Sequence, residues 1–256
     1  MPWITRGLRH GVVTTEWPAR DDAYQRGWRG GVDVIAANLP AAERAVVEAL
    51  CPTSAISADD DGLRLDRGRC ILCGHCVNDR PDLFSWSPGA ATAAASRATL
   101  VVPAQTETNG AIATMRDELA ARTKILRRSV HVRHVDAGSD GSEEWEILAL
   151  LNPVYDVHRL GVFFTASPRH ADILLVTGVG ATGMLAPLAR TLEAMPTPTV
   201  VVAAGTDAIS GGLVHPTYAT SGGIGGLLPV DVWVPGSPPS PFSLLHGLLL
   251  AAGRLT

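Results

Sequence analysis

The sequence has no basic run interleaved with aromatic residues, no Walker A phosphate loop, and no cysteine outside residues 51–76. The first absence, together with 21 basic against 25 acidic residues and a formal net charge of -4, leaves nothing that points to a nucleic-acid partner. Arginines near the N-terminus are not followed by an apolar h-region or a small-residue cleavage site, so no signal peptide is expected. The most apolar stretch, residues 242–252, is too short to span a bilayer. A reducing compartment is therefore expected, with any membrane contact made through partners. What remains is an ordinary folded composition. With 256 residues, 46% hydrophobic and 18% charged, the chain can form one large domain or two modest ones.

The four cysteines are the most informative feature. Cys70-Ile-Leu-Cys73-Gly-His-Cys76 is a C-x2-C-x2-C run, and Cys51 is followed at once by Pro52. Three thiolates this close suit a compact loop around a cuboidal cluster, with glycine easing the turn. A cubane needs a fourth thiolate from elsewhere, and Cys51 supplies it. In two-cluster bacterial ferredoxins the fourth ligand of each cluster is the Cys-Pro of the other half. Here the later triplet lacks its own Cys-Pro, since Asn78-Asp79-Arg80-Pro81 stands there, and no triplet precedes Cys51. The survivors of that half-symmetry are the four residues that would serve one [4Fe–4S] cluster. Two other readings remain: a structural zinc site, which more often shows paired C-x2-C knuckles, and disulfides, which the missing secretory signal disfavours. The cluster itself would be a one-electron carrier or a staple for a small region with few apolar residues.

The rest of the chain is organised around glycine-rich turns. Ala98-Thr-Leu-Val-Val-Pro103 reads as a short closing strand, and a helical pattern over 111–127 places a linker at 104–128. Beyond it the pattern is α/β: strands near 129–135, 171–177, 199–204 and 230–234, helices near 144–151 and 184–195, and a final helix after the proline-rich loop 235–241. That final helix carries more apolar residues than one face buries, which fits either a partner interface or a core helix. Gly178-Val-Gly180-Ala-Thr-Gly183 matches G-x-G-x-x-G after a strand, and Asp207 closes the next strand, so a soluble NAD(P)-linked oxidoreductase is a rival reading. His75 and His170 are lone histidines in loops, more often ordinary surface residues than proton relays.

From Ser129 onward the chain resembles the small electron-transfer subunit shared by complex I and membrane-bound energy-converting [NiFe]-hydrogenases. The resemblance lies in Val135-Asp-Ala-Gly-Ser139, Glu144-Trp-Glu-Ile147, Ser167-Pro-Arg-His-Ala-Asp172, Ile173-Leu-Leu-Val-Thr-Gly178 and Pro229-Val-Asp-Val-Trp-Val-Pro-Gly236. The first half resembles the ferredoxin-type subunit of the same complexes, through Arg6-Gly-Leu-Arg-His-Gly-Val-Val-Thr-Thr15 and the cysteine pattern. The resemblance implies a fusion: a ferredoxin-like domain over 1–103, the linker, and a flavodoxin-like α/β domain with a parallel sheet over 129–256. It also implies that the glycine motif is an ordinary strand-to-helix turn.

Family members bind a terminal [4Fe–4S] cluster through four cysteines in three loops. At those positions this chain has Asp140, Glu143, Asp207 and Ser237. Four oxygen ligands do not suit an iron–sulfur cluster, so the site is expected to be vacated, with a cation, a shared proton or an unrelated ligand in the cavity as the alternatives. The implied protein is a peripheral electron-transfer subunit on the cytoplasmic, inner face of a membrane. It would carry one cluster, lack the terminal relay, and dock a hydrogenase-like large subunit and membrane subunits. A purely structural assembly subunit is the remaining alternative.

Overall fold

The structure is a computed structural model that describes residues 2–25, 27–103, 114, 117–119, 121–124 and 129–255. The linker expected at 104–128 lies mostly outside the described residues. Helix α1 (Pro2–His10) buries no side chain. The following part is built from strand β1 (Arg29–Val34), helix α2 (Ala41–Glu48), strands β2 (Ile56–Asp59) and β3 (Gly62–Asp66), helix α3 (His75–Asp79), and strands β4 (Phe84–Pro88) and β5 (Val101–Val102). β1 pairs antiparallel with β4, and β2, β3 and β5 form a second antiparallel sheet. Alternation decides the inner face of β3, where Leu63 and Leu65 are buried between half-exposed neighbours. They join Val32, Val47, Ile56 and Phe84 in a core that also takes in Cys70 and Cys76.

The second part contains β6 (Val130–Asp136), α4 (Ser142–Ala149), β7 (Val162–Phe164), β8 (Ile173–Thr177), α5 (Leu185–Glu193), β9 (Val200–Ala204), α6 (Thr206–Ser210), β10 (Val232–Val234) and α7 (Pro241–Ala251). All five strands run parallel in the order β7-β6-β8-β9-β10. Counted within this part, that is the 2-1-3-4-5 order of doubly wound sheets. Every residue of β8 and β9 is buried, because helices cover both faces and a parallel strand at the centre has no solvent side. Helix α7 is buried over nearly its whole length rather than along one stripe. It is a core helix, packed on β9, β10 and α4, so the interface reading of this segment falls.

The two parts are interleaved. Trp17, Ala90 and Ala93 belong to the core that α7 caps, and Leu100 belongs to the core on the opposite face of the sheet. Trp17 sits edge-on to Phe242 with ring centroids 6.2 Å apart. Ala94 and Trp233 exchange backbone hydrogen bonds of 2.9 and 2.8 Å, the Ala93 amide donates to His246 Nδ1, and the Thr15 amide donates to the Val154 carbonyl. Burial of this kind contributes a few kcal/mol per large side chain. Trp17→Ala is therefore expected to cost about 3 kcal/mol in chemical denaturation, the usual penalty for emptying an aromatic site. A fragment of residues 129–256 should also unfold at a lower temperature than the full chain. Equal melting temperatures would contradict the shared cores.

Candidate functional site

Cys51, Cys70, Cys73 and Cys76 border one pocket, walled otherwise by Val32, Leu50, Ile56 and Leu65. Cys51 enters from the turn after α2, and the other three from the segment between β3 and α3. Three backbone features shape the turn after α2 and that segment. Leu72 and Ser54 occupy left-handed conformations, uncommon for residues with a Cβ. Amides there point at sulfur: Ala55 N–H, just after Ser54, reaches Cys51 Sγ at 3.2 Å, and Leu72's own N–H reaches Cys70 Sγ at 3.4 Å. Gly74, at φ 78°, supplies the third bend, and a Cβ there would meet the Trp86 ring at 2.8 Å. Upstream, Arg97 holds Asp66 through hydrogen bonds of 2.7 and 2.5 Å, and Asp66 in turn accepts the Gly68 amide.

Burial separates the four thiols. Cys70 and Cys76 are buried, Cys51 is half-buried and Cys73 is exposed. Burial pushes the Cys70 thiol up to about 12 and the Cys76 thiol up to about 11, with the neighbouring cysteines adding to the rise. Such thiols are nucleophilic or metal-binding only once a cation offsets the charge. The donor set fits an iron–sulfur group: soft sulfur ligands, apolar walls and amide donors to sulfur.

The second candidate site lies at the carboxyl edge of the parallel sheet. Asp140 comes from the loop after β6, Asp207 from the start of α6 after β9, and Ser237 from the loop after β10. All three line one cavity of about 330 Å³ with Gly138, Val179 and Leu213. Glu143 stands behind that cavity on α4, where positions 143, 147 and 150 form the inward stripe. It is 0% exposed, and its Oε1 has no hydrogen-bond partner. Its other oxygen takes a 3.3 Å bond from the Ser142 hydroxyl, and the residue's own amide also bears on the carboxylate. Gly205 makes room for it: a Cβ at Gly205 would lie 2.5 Å from Glu143 Oε1.

The charges here differ by environment. Burial, and then the charges of Asp207, Asp140 and Glu144, push Glu143 up to about 7. Burial and Asp140 also raise Asp207. Asp140 is lowered, because the Ser142 side chain and amide bind its carboxylate. Glu144 turns the other way and is satisfied, by Ser139 Oγ at 2.6 Å and Thr177 Oγ1 at 2.5 Å, with His134 Nε2 3.5 Å away. Among the described residues, no three cysteine, histidine or carboxylate side chains sit close enough to share one metal ion.

The two candidate sites touch through α6. Thr206 Oγ1 donates to the Cys70 carbonyl at 3.1 Å, and Ser210 Oγ donates to the Gly68 carbonyl at 2.9 Å. Thr206 is fully buried and sits between Gly205, against Glu143, and Asp207. The glycine motif serves a different end. The space beside Gly178 is taken by the Gly138–Ser139 backbone, and the space beside Gly180 by Ser221 and Gly223. Gly180 and Val179 carbonyls accept the Ser221 and Gly223 amides. Protein therefore fills the room in which a pyrophosphate would approach the turn.

Residues 141–251 match the family model described as NADH ubiquinone oxidoreductase, 20 Kd subunit. The chain is 38% identical over 154 residues to formate hydrogenlyase subunit 7 of Escherichia coli (strain K12), covering 60% of this chain and 59% of that protein. It is 41% identical over 137 residues to the probable membrane-bound hydrogenase subunit mbhJ of Pyrococcus furiosus, covering 54% of this chain and 82% of that protein. It is 50% identical over 102 residues to an NADH-quinone oxidoreductase subunit of Rhizobium etli (strain CIAT 652), covering 40% of this chain and 60% of that protein.

The cost of burying Glu143 makes a pH prediction. Its folded pKa of about 7 lies above its ordinary value of 4.5, so the native state holds the proton longer than the unfolded chain does. Its contribution is therefore fully present below pH 4.5 and is lost as pH rises to about 7. The loss amounts to at most about 3 kcal/mol. Denaturant titrations across that range should show the decline in the wild type and a flatter profile in Glu143→Gln.

Proposed function

Because the chain belongs to the NADH ubiquinone oxidoreductase 20 Kd subunit family, we propose that it is an electron-transfer subunit of a membrane-associated complex I-like or hydrogenase-related oxidoreductase complex. In this reading Cys51, Cys70, Cys73 and Cys76 hold one [4Fe–4S] cluster, which supplies a one-electron store. The carrying observation is that the four cysteines, and no other sulfur ligands, border one apolar pocket fixed to the α/β part. A tetrahedral zinc, with Zn–S near 2.3 Å, would draw its thiolates to within about 4 Å of one another. A cuboidal cluster spreads them wider. A C-x2-C-x2-C triplet with a separate Cys-Pro, rather than paired C-x2-C knuckles, favours the cluster.

The residues then divide the work. Cys70 and Cys76 anchor the buried side, amides of Ala55 and Leu72 stabilise thiolate charge, and exposed Cys73 marks the side where electrons pass to or from a partner. Asp140, Glu143, Asp207 and Ser237 stand where the resemblance would put the terminal cluster's ligands, and oxygen donors do not suit it. The relay therefore ends, in this chain, at the cysteine pocket. We read residues 1–103 as a ferredoxin-type unit fused to the family's own domain, and the partners as a hydrogenase-like large subunit and membrane subunits. No helix among the described residues is long and apolar enough to cross a membrane, which suits a peripheral place on the inner face.

Anaerobically purified protein is expected to contain about four iron and four acid-labile sulfide per chain, as one cubane requires. Cys70→Ser should lose most of both. About eight of each would show a second cluster, and zinc without sulfide would end the electron-transfer reading.

A further inference from the structure

We propose that Glu143 is a redox-linked proton site: it takes up one proton from solvent when one electron reaches the cysteine pocket, and releases it when the electron leaves. The inference rests on the reading that the four cysteines hold a one-electron cluster. Its own support is geometric. Glu143 is fully buried, and its Oε1 has no partner. That oxygen lies against Gly205, and the next residue, Thr206, donates its hydroxyl to the Cys70 carbonyl at 3.1 Å. A carboxyl group and a cluster-binding loop thus face each other across a single two-residue step of backbone.

The surrounding charges make a proton the fitting ligand. Asp207 on α6, Asp140 in the loop after β6 and Glu144 on α4 itself all bear on Glu143, and all are acidic. Glu144 is already held by Ser139 and Thr177, beside His134. No three of these side chains close on one point as a divalent cation demands. Solvent reaches the neighbourhood through the cavity lined by Asp140, Asp207 and Ser237.

The balance is simple. One electron from a one-electron iron–sulfur donor enters the cysteine site, one proton from water joins the Glu143 carboxylate, and the net charge of the two sites together is unchanged. Reoxidation returns both. The step through Gly205, Thr206 and Cys70 is on the order of 10 Å, where one added charge at an effective dielectric near 20 changes proton affinity on the order of tenfold.

The test is an EPR-monitored redox titration of the anaerobic holoprotein between about pH 6 and 9. A tenfold difference in affinity predicts that the midpoint potential falls by about 59 mV as pH rises through this range, and that Glu143→Gln is flat. The reduced-minus-oxidised infrared spectrum should gain a protonated-carboxyl band that Glu143→Gln lacks. Asp207→Asn keeps Glu143 and removes a neighbouring charge, so its step should move to lower pH. A cluster with a pH-independent potential in the wild type overturns the proposal, as does a pH step that survives in Glu143→Gln or is unmoved in Asp207→Asn. Absence of iron and sulfide in the wild type would instead overturn the cluster reading beneath it, and the metal assay separates the two failures.

Discussion

The contact between α6 and the cysteine loop is the constraint on which the rest of the structure depends. Two hydroxyls on one short helix, Thr206 and Ser210, each donate to a backbone carbonyl of the loop, Cys70 and Gly68. The Thr206 bond is buried and the Ser210 bond half-buried, and a buried carbonyl left without its donor costs about 1–3 kcal/mol. The loop is therefore pinned to the carboxyl edge of the parallel sheet, where the strand order of a doubly wound fold leaves its crevice. Asp66, gripped by Arg97, fixes the approach to the loop from the other side. A site for a reactive group is thereby built from a part of the chain that has only a small core of its own.

Much of this was legible in the sequence, for identifiable reasons. Strands β8 and β9 are continuous apolar runs between glycine turns, and a parallel strand buried on both faces produces that pattern. Cysteine spacing predicted one shared pocket, since three cysteines lie within one loop and the fourth precedes a proline. The shared cores were not legible. Trp17 and Ala93 meet α7 only after the chain has folded back across more than half its length, and no local pattern encodes such a contact. Nor were the sulfur-directed amides, because Ser54 and Leu72 adopt left-handed conformations that residue type does not favour. Helix α7 was ambiguous because a helix apolar on every side reads the same whether its neighbours are its own sheet or another subunit.

The carboxylate site was only half legible. The resemblance pointed to Asp140, Glu143, Asp207 and Ser237, but as four equivalent positions. The structure separates them. Asp140, Asp207 and Ser237 face an open cavity, whereas Glu143 is closed behind it on the apolar stripe of α4. A glutamate at an inward position, in phase with Ile147 and Leu150, was the signal available in advance. The four positions therefore differ in environment: three border open solvent, and one is a buried carboxyl with an unpartnered oxygen.

The central claim is that this chain carries a single redox centre, in the cysteine pocket, and that the carboxylate site is silent to electrons. The most direct test is EPR spin quantitation of the anaerobic protein after full dithionite reduction. The account predicts about one spin per chain in an unsplit signal, as one reduced cubane gives. Two spins, or a signal split by a second paramagnet nearby, would place a cluster at the carboxylate site and contradict it.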